Sequence, residues 1–382
     1  MSACPACGGG PSHLLHDLAA APTTDVELFK SQAQAKAVPH APIALMACEA
    51  CGFAWNAAFD PGLVVYHQGF ESTQIHSPTF RASLQGLVDS LCAVLPEGNG
   101  LIVEAGCGQG ELITQLCDSA GRRGLGIDPA YRGEEVIGGI RFRSEEFDAS
   151  TITEPVDLLV CKMTLEHLWQ PLAIVEQFAQ ALAANGLLFI QVPRFEQAVV
   201  DGAYWDVYYE HCNYFSEASL TALCARAGLR PQRLWQEYRG QYVLGLFTRG
   251  DGALESASGM ALADYRQFAD GIGPAVDAWR RWFGEPGRRA ALWGGGSKAV
   301  SFLTHLGVPD AIEAAIDINP DKRNSYLPGS GLPVIGPEDA AGRDIEAVTL
   351  MNPVYREEVA AMLAEIGLGD CPLLDIGQPP GL

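Results

Sequence analysis

Ten residues constrain this chain more than any others: Leu101-Ile102-Val103-Glu104-Ala105-Gly106-Cys107-Gly108-Gln109-Gly110. An apolar run that ends in an acid and three alternating glycines reads as a buried strand, a tight turn and the start of a helix. At Gly106, Gly108 and Gly110 a ligand can approach the backbone closely, where a Cβ would clash. A second strand follows at Gly124-Leu125-Gly126-Ile127-Asp128, with Asp128 at its tip to accept a pair of ribose hydroxyls.

This G-x-G-x-G with Glu104 before it and Asp128 after it resembles the first motif of class I S-adenosylmethionine (SAM) methyltransferases. The dinucleotide pattern differs, because its third glycine falls one position later. From about residue 80 to residue 250, helical and strand patterns alternate, which predicts an α/β unit built on a doubly wound parallel sheet. Phe80 to Leu95 carries Leu84, Leu87, Val88 and Leu91 at helical spacing, and strands are expected at Val156–Cys161 and Gly186–Pro193. Ligands of such sheets bind beyond the carboxyl ends of the strands, where strand order reverses. That rule gathers Gly106 to Gly110, Asp128, Phe147-Asp148 and Lys162 to His167 around one crevice. Phe147 and Asp148 either cover and hydrogen-bond an adenine or form an ordinary loop.

A length of 382 residues suggests two or three domains. A hydrophobic content of 48% is ordinary for a soluble globular protein. The expectation is a cytoplasmic protein without a membrane span, since no apolar run approaches ~18 residues and no basic-then-apolar leader opens the sequence. A formal net charge of -21 argues against a nucleic-acid partner, because phosphate backbones need basic surfaces. Eleven cysteines in a chain without an export signal favour thiols and metal ligands over disulfides.

Cys4-Pro5-Ala6-Cys7 and Cys48-Glu49-Ala50-Cys51 form two C-x-x-C knuckles, each followed by glycine (Gly8, Gly52). Two residues between cysteines turn both thiolates onto one ion, and two such pairs complete a tetrahedral structural zinc site. The long gap between the pairs implies an inserted loop. A redox pair is the alternative, but it would sit at a helix start after a strand. His13 and His16 read as surface or packing residues rather than ligands.

Two histidines stand out further on. Glu166-His167 follows the strand ending at Cys161, and Glu210-His211 lies in Trp205-Asp206-Val207-Tyr208-Tyr209-Glu210-His211-Cys212-Asn213-Tyr214-Phe215-Ser216. Histidine takes a proton near neutral pH, and a neighbouring carboxylate can orient it. His211 therefore reads as a catalytic base, and His167 as either a supporting or a structural residue at the edge of the crevice. The order of a two-knuckle zinc module, a SAM fold with LEH after one strand and YEH-x-x-YFS later resembles the zinc-containing sugar C-methyltransferases, which act on nucleotide-linked deoxysugars. That resemblance implies His211 as base, helped by Glu210, Tyr208 and His167. A carbon beside a ketone would lose a proton to give an enolate that attacks the SAM methyl, so the site must supply a base and donors to the developing oxyanion.

A second strand-loop-helix unit, Ala290 to Val300, contains Gly294-Gly295-Gly296-Ser297-Lys298. Acid-tipped Ile312–Asp317 and Val348–Pro353 add two more strands, predicting a smaller Rossmann-like layer. Leu327-Pro328-Gly329 strengthens the resemblance. The glycine-rich loop departs from the family form G-A-x-x-K-G. Gly295, Gly296, Ser297 and Lys298 suit a substrate diphosphate, unless the turn is inherited and binds nothing. The expected organisation is a zinc-binding module over 1–65, a SAM-dependent methyltransferase domain over 66–250 and a substrate-binding domain over 251–382. The rivals are methylation of a hydroxyl, a nicotinamide dehydrogenase using Gly294 to Gly296 and Asp317, and a zinc-knuckle scaffold with an inert SAM fold.

Overall fold

The central sheet has eight strands in the order Leu229–Glu237, Tyr242–Arg249, Leu182–Pro193, Val156–Lys162, Leu101–Ala105, Gly124–Ile127, Ile140–Arg143 and Val136–Ile137, in a computed structural model that describes residues 3–250, 252 and 260–381. The five strands from Leu182–Pro193 to Ile140–Arg143 pair in parallel. Leu101–Ala105 is buried along its whole length, as a strand covered on both faces must be. The sheet is mixed rather than wholly parallel. A hairpin at Tyr238-Arg239-Gly240, all three at positive φ, pairs Leu229–Glu237 antiparallel with Tyr242–Arg249, which also lies antiparallel to Leu182–Pro193. Residues 251 and 253–259, beside the expected domain boundary at 250/251, lie outside the described residues.

Helix Pro78–Cys92 starts where Ser77 accepts from Phe80 N and proline occupies the first turn. It buries Leu84, Leu87, Val88 and Leu91 against the sheet, together with the Leu112, Ile113, Leu116 and Cys117 face of helix Glu111–Ala120. Strand order reverses between Leu101–Ala105 and Val156–Lys162, since successive crossovers leave to opposite sides. The crevice opens there, above Gly106 and Thr164.

A smaller sheet has the order Ser325–Tyr326, Pro333–Ile335, Ile312–Ile316, Ala290–Trp293, Ala347–Leu350 and Leu373–Asp375, parallel apart from its first strand. The strand expected to run to Pro353 stops at Leu350, because Asn352 caps a short 3-10 turn. The N-terminal sheet is Ser12–Pro22, His40–Cys48, Ala54–Asn56 and Asn213–Tyr214. Its fourth strand comes from the segment that carries His211, so this module builds part of the wall behind that histidine. Helix Leu262–Phe283 fuses the parts: Tyr265, Phe268, Ile272, Val276, Trp279 and Phe283 share one core with Ile43 and Leu45 of the N-terminal sheet and Leu292 and Phe302 of the smaller layer.

Candidate active site

A single cavity of about 1120 Å³ runs from Asp128 through the two histidines to Asp317. It exceeds the ~300–1,000 Å³ of a typical small-molecule pocket, so it has room for more than one ligand. At the Asp128 end the three glycines of the Gly106 turn all have positive φ, but they differ in what surrounds them. A Cβ on Gly106 would strike Thr164 and one on Gly110 the Phe142 ring, whereas Gly108 faces open space. Close ligand approach therefore concerns Gly108, and the other two glycines make room for neighbouring side chains.

Asp128 accepts from Gly108 N (2.8 Å) and Ala130 N (2.7 Å), which locks the turn and leaves lone pairs toward the cavity. Glu104 is buried, accepts from Ile113 N at 3.0 Å, and is pushed up to about 8 by burial. Lys162, with its ammonium 5.4 Å from the Phe80 ring centroid, and Phe147, packed on Phe178, also line the cavity. Asp148 does not. Its carboxylate caps the turn Ala149–Thr151 by accepting from Ser150 N, and it lies exposed outside the lining, which corrects its expected hydrogen bond to an adenine.

In the middle of the cavity His167 and His211 meet edge to face, with ring centroids 4.6 Å apart. Each has a tyrosine. Tyr208 Oη lies 2.8 Å from His211 Nε2, and Tyr66 Oη lies 3.0 Å from His167 Nδ1. Tyr209, the neighbour that sequence could not separate from Tyr208, is fully buried and accepts from Asp60 N. Burial pushes His211 well below the usual imidazole range, with the charges of His167 and Lys298 adding to it, and it brings His167 down to about 4. Both are thus neutral at pH 7, the form in which an imidazole accepts a proton.

Glu210 does not orient His211. Its carboxylate turns away to accept from Asp25 N, beside the buried Asp25 carboxyl, and burial lifts Glu210 to about 7 and Asp25 well above the carboxylate range. Tyr208 holds the His211 ring, and Asn213 fixes the backbone around it: its Nδ2 donates to Leu165 O (3.3 Å) and Leu168 O (2.8 Å). That amide ties the turn carrying His167 to the loop carrying His211.

At the far end, Asp317 repeats the Asp128 arrangement. It accepts from Gly295 N (2.9 Å) on one oxygen and from Asn319 N (2.9 Å) on the other. Helix Ser297–Leu306 begins at Gly296 with no capping side chain, so its first amides face the cavity. Lys298, expected as a free point charge, is paired with Asp206. Lys322, which reaches Asp317 at 3.4 Å, is a second cation on this wall that sequence reading did not single out.

Away from the cavity, the sulfurs of Cys4, Cys7, Cys48 and Cys51 lie within 4.8 Å of one another, with Cys4–Cys51 and Cys7–Cys48 both at 3.7 Å. A tetrahedral Zn–S site with ~2.3 Å bonds has sulfurs ~3.8 Å apart. A disulfide would need ~2.05 Å. The amides of Gly8 and Gly52 donate back to Cys4 O and Cys48 O, closing both knuckles.

Lys322 was missed as a site residue although its partner Asp317 is five positions away. Tyr66, Asn213 and Asp206 were missed because each acts through a partner distant in sequence, at His167, the Leu165 and Leu168 carbonyls, and Lys298. Local patterns carry no such information. Gln68, Glu71 and Gln74 belong to the same strap as Tyr66. Glu71 binds Arg132 and accepts from Asn319 Nδ2, so the strap joins the two ends of the cavity.

Residues 80–234 match the family described as "Methyltransferase domain", and residues 253–370 match "C-methyltransferase C-terminal domain". C-methyltransferase NovU of Streptomyces niveus is 24% identical over 348 residues, covering 83% of this chain and 82% of that protein. Among solved structures, mitomycin 7-O-methyltransferase MmcR superposes with a TM-score of 0.34 at 19% identity, over 44% of this chain and 54% of that one. A SAM-dependent methyltransferase from Mesorhizobium loti gives a TM-score of 0.34 at 16% identity, over 44% of this chain and 100% of that one. No helix among the described residues is long and apolar enough to cross a membrane.

Proposed function

We propose that this SAM-dependent methyltransferase, whose C-terminal domain is of the C-methyltransferase type, methylates a carbon beside the ketone of a nucleotide-linked sugar. The observation that carries the reading is the edge-to-face His167–His211 pair midway along one cavity, between two acid-clamped glycine turns. SAM at the Asp128 turn supplies an activated methyl. Glu104, Gly108, Asp128, Phe147 and Lys162 line that end, with Asp128 offering its remaining lone pairs to ribose hydroxyls. Gly295, Gly296 and Ser297 suit the diphosphate of the acceptor, with Lys298 (paired with Asp206) and Lys322 (paired with Asp317) as the two cations on this wall.

His211 would remove the proton next to the ketone, and the electron pair left on that carbon would form the new bond to the methyl as the methyl–sulfur bond breaks, its electrons staying on the sulfur of the departing S-adenosylhomocysteine. Tyr208 and Tyr66 hold the two imidazoles and offer hydroxyls near the developing enolate oxygen. Burial keeps His211 in its proton-accepting form but lowers its basicity, so stabilisation of the enolate oxygen by hydroxyl donors has to drive the proton transfer. A structural zinc ion on Cys4, Cys7, Cys48 and Cys51 would hold the N-terminal sheet against the loop of His211. With four thiolates it would leave no open position for chemistry.

The test is incubation with labelled SAM and a panel of nucleotide-linked keto-sugars, with carbon NMR of the product. A new C–C bond is expected, and an ether carbon would assign the chain to hydroxyl methylation.

A further inference from the structure

We propose that Glu166, His167 and His211 form a binding site for one divalent transition-metal ion, separate from the four cysteines and set within the reactive centre. One ligand atom from each residue lies within 4.8 Å of the others. The independent observation is Glu166 itself. It is 1% exposed, and neither carboxylate oxygen has a hydrogen-bond partner from another residue, its compensation being limited to its own backbone N–H and the Lys162 charge. A buried carboxyl without a partner is costly, and it calls for a proton or a cation.

The imidazoles are prepared for the same ion. Each gives one ring nitrogen to a tyrosine hydroxyl, Tyr66 for His167 and Tyr208 for His211; His167 also meets the Glu210 backbone, a contact that an ion on its second nitrogen would replace. Such outer hydrogen bonds fix ring orientation around a metal. Ligands of one ion stand roughly 3–3.5 Å apart, as bonds of ~2.0–2.2 Å require, so small rotations of the three side chains would close the set. Two nitrogens and one carboxylate oxygen suit Zn²⁺, Co²⁺, Fe²⁺ or Ni²⁺. They differ in kind from the all-sulfur set at the N-terminus. Three protein ligands leave at least one position open, and all three residues line the cavity. An ion here would occupy a lone pair of His211, so metal binding and proton abstraction by that imidazole exclude each other. This last consequence rests on the function proposed above; the site itself does not.

The experiment titrates Co²⁺ into full-length protein holding one zinc per chain, at the cysteines, and reads visible absorption together with methyl transfer. We expect one further equivalent of cobalt, with ligand-field bands but without the sulfur-to-metal charge transfer a cysteine site would give. Glu166→Gln should weaken that binding at least 10-fold and Glu166→Asp should restore part of it, each variant being checked for folding by its SAM affinity. No cobalt beyond the cysteine site in folded wild type, or binding indifferent to Glu166→Gln, overturns the proposal. Inhibition that tracks the cobalt bands and reverses with a chelator supports both the site and His211 as base. Cobalt bound in a Glu166-dependent way with methyl transfer undiminished upholds the site and removes His211 from the role of base.

Discussion

His167 and His211 come from turns that are 44 positions apart (211 minus 167) and meet at 82°, the edge of one ring against the face of the other. Each is hydrogen-bonded to its own tyrosine, so neither imidazole depends on the other for its orientation. The two can therefore be separated by mutation.

His211→Gln should leave SAM affinity near normal while turnover falls by about 10²–10⁴, the usual worth of a positioned base. His167→Ala should cost less. The base form of His211 is the neutral one, and burial holds its pKa below 6.5. Loss of the base form on acidification should therefore set in below pH 6.5 in kcat/KM, and Tyr208→Phe should move that limb. With a SAM analogue that cannot donate its methyl, wild type should exchange the acceptor's acidic C–H with deuterated water, and His211→Gln should do so far more slowly. Undiminished exchange in the variant would shift the base to another group.

The two aspartates that clamp glycine turns should divide the ligands between them. Asp128→Ala is expected to weaken SAM binding by about 1.5–3 kcal/mol, the scale for losing a buried partner. Asp317→Ala should raise the KM for the nucleotide-linked acceptor about 10-fold or more while the SAM Kd stays put. An acceptor KM untouched by Asp317→Ala would make the C-terminal turn a structural inheritance that binds nothing.

How much of this was legible in the sequence follows from the range of each interaction. The strand, turn and helix from Leu101 to Ala120 are local, written in an apolar run, three glycines and a 3.6-residue period. The cysteine knuckles are legible for the same reason. Asp148 was misread because a carboxylate one residue before a short 3-10 turn caps it. Glu210 was misread because Asp25, 185 positions away, supplies the N–H it accepts. Lys298 loses its freedom to Asp206 across 92 positions, and Tyr66 finds His167 across 101. Asn213 sits in a two-residue strand whose partner, Ala54–Asn56, belongs to the N-terminal sheet. No window of one sequence contains these pairings.

Metal removal should act at a distance. Ser216 Oγ donates to Cys51 O at 2.9 Å and Tyr265 Oη donates to Gly52 O at 3.1 Å, so the second knuckle is bonded to the residues that follow Asn213–Tyr214 and to the helix joining the sheets. One zinc per chain is expected by elemental analysis. Chelation or Cys51→Ser should loosen the N-terminal sheet, because metal binding supplies its folding energy. Methyl transfer should then fall much more than SAM binding, since the cofactor turn lies in the central sheet. A zinc-free protein with full turnover would contradict this.

Asn213 offers the narrowest test of geometry, because its side chain bonds to two backbone carbonyls of the His167 turn. Asn213→Ala removes both hydrogen bonds and leaves Leu165 O and Leu168 O with a lost donor, a cost of about 1–3 kcal/mol in stability. The larger effect should be on rate. Without the tie, the His167 turn and the His211 loop can separate by a fraction of an ångström, and small misplacements of catalytic groups are costly. Turnover is expected to fall about 10-fold or more, with the SAM Kd unchanged and the rate of acceptor deuterium exchange falling in the same proportion. A parallel fall in both rates places the loss at proton abstraction. A folded Asn213→Ala protein with wild-type turnover would show that the two tyrosines alone hold the imidazoles in register.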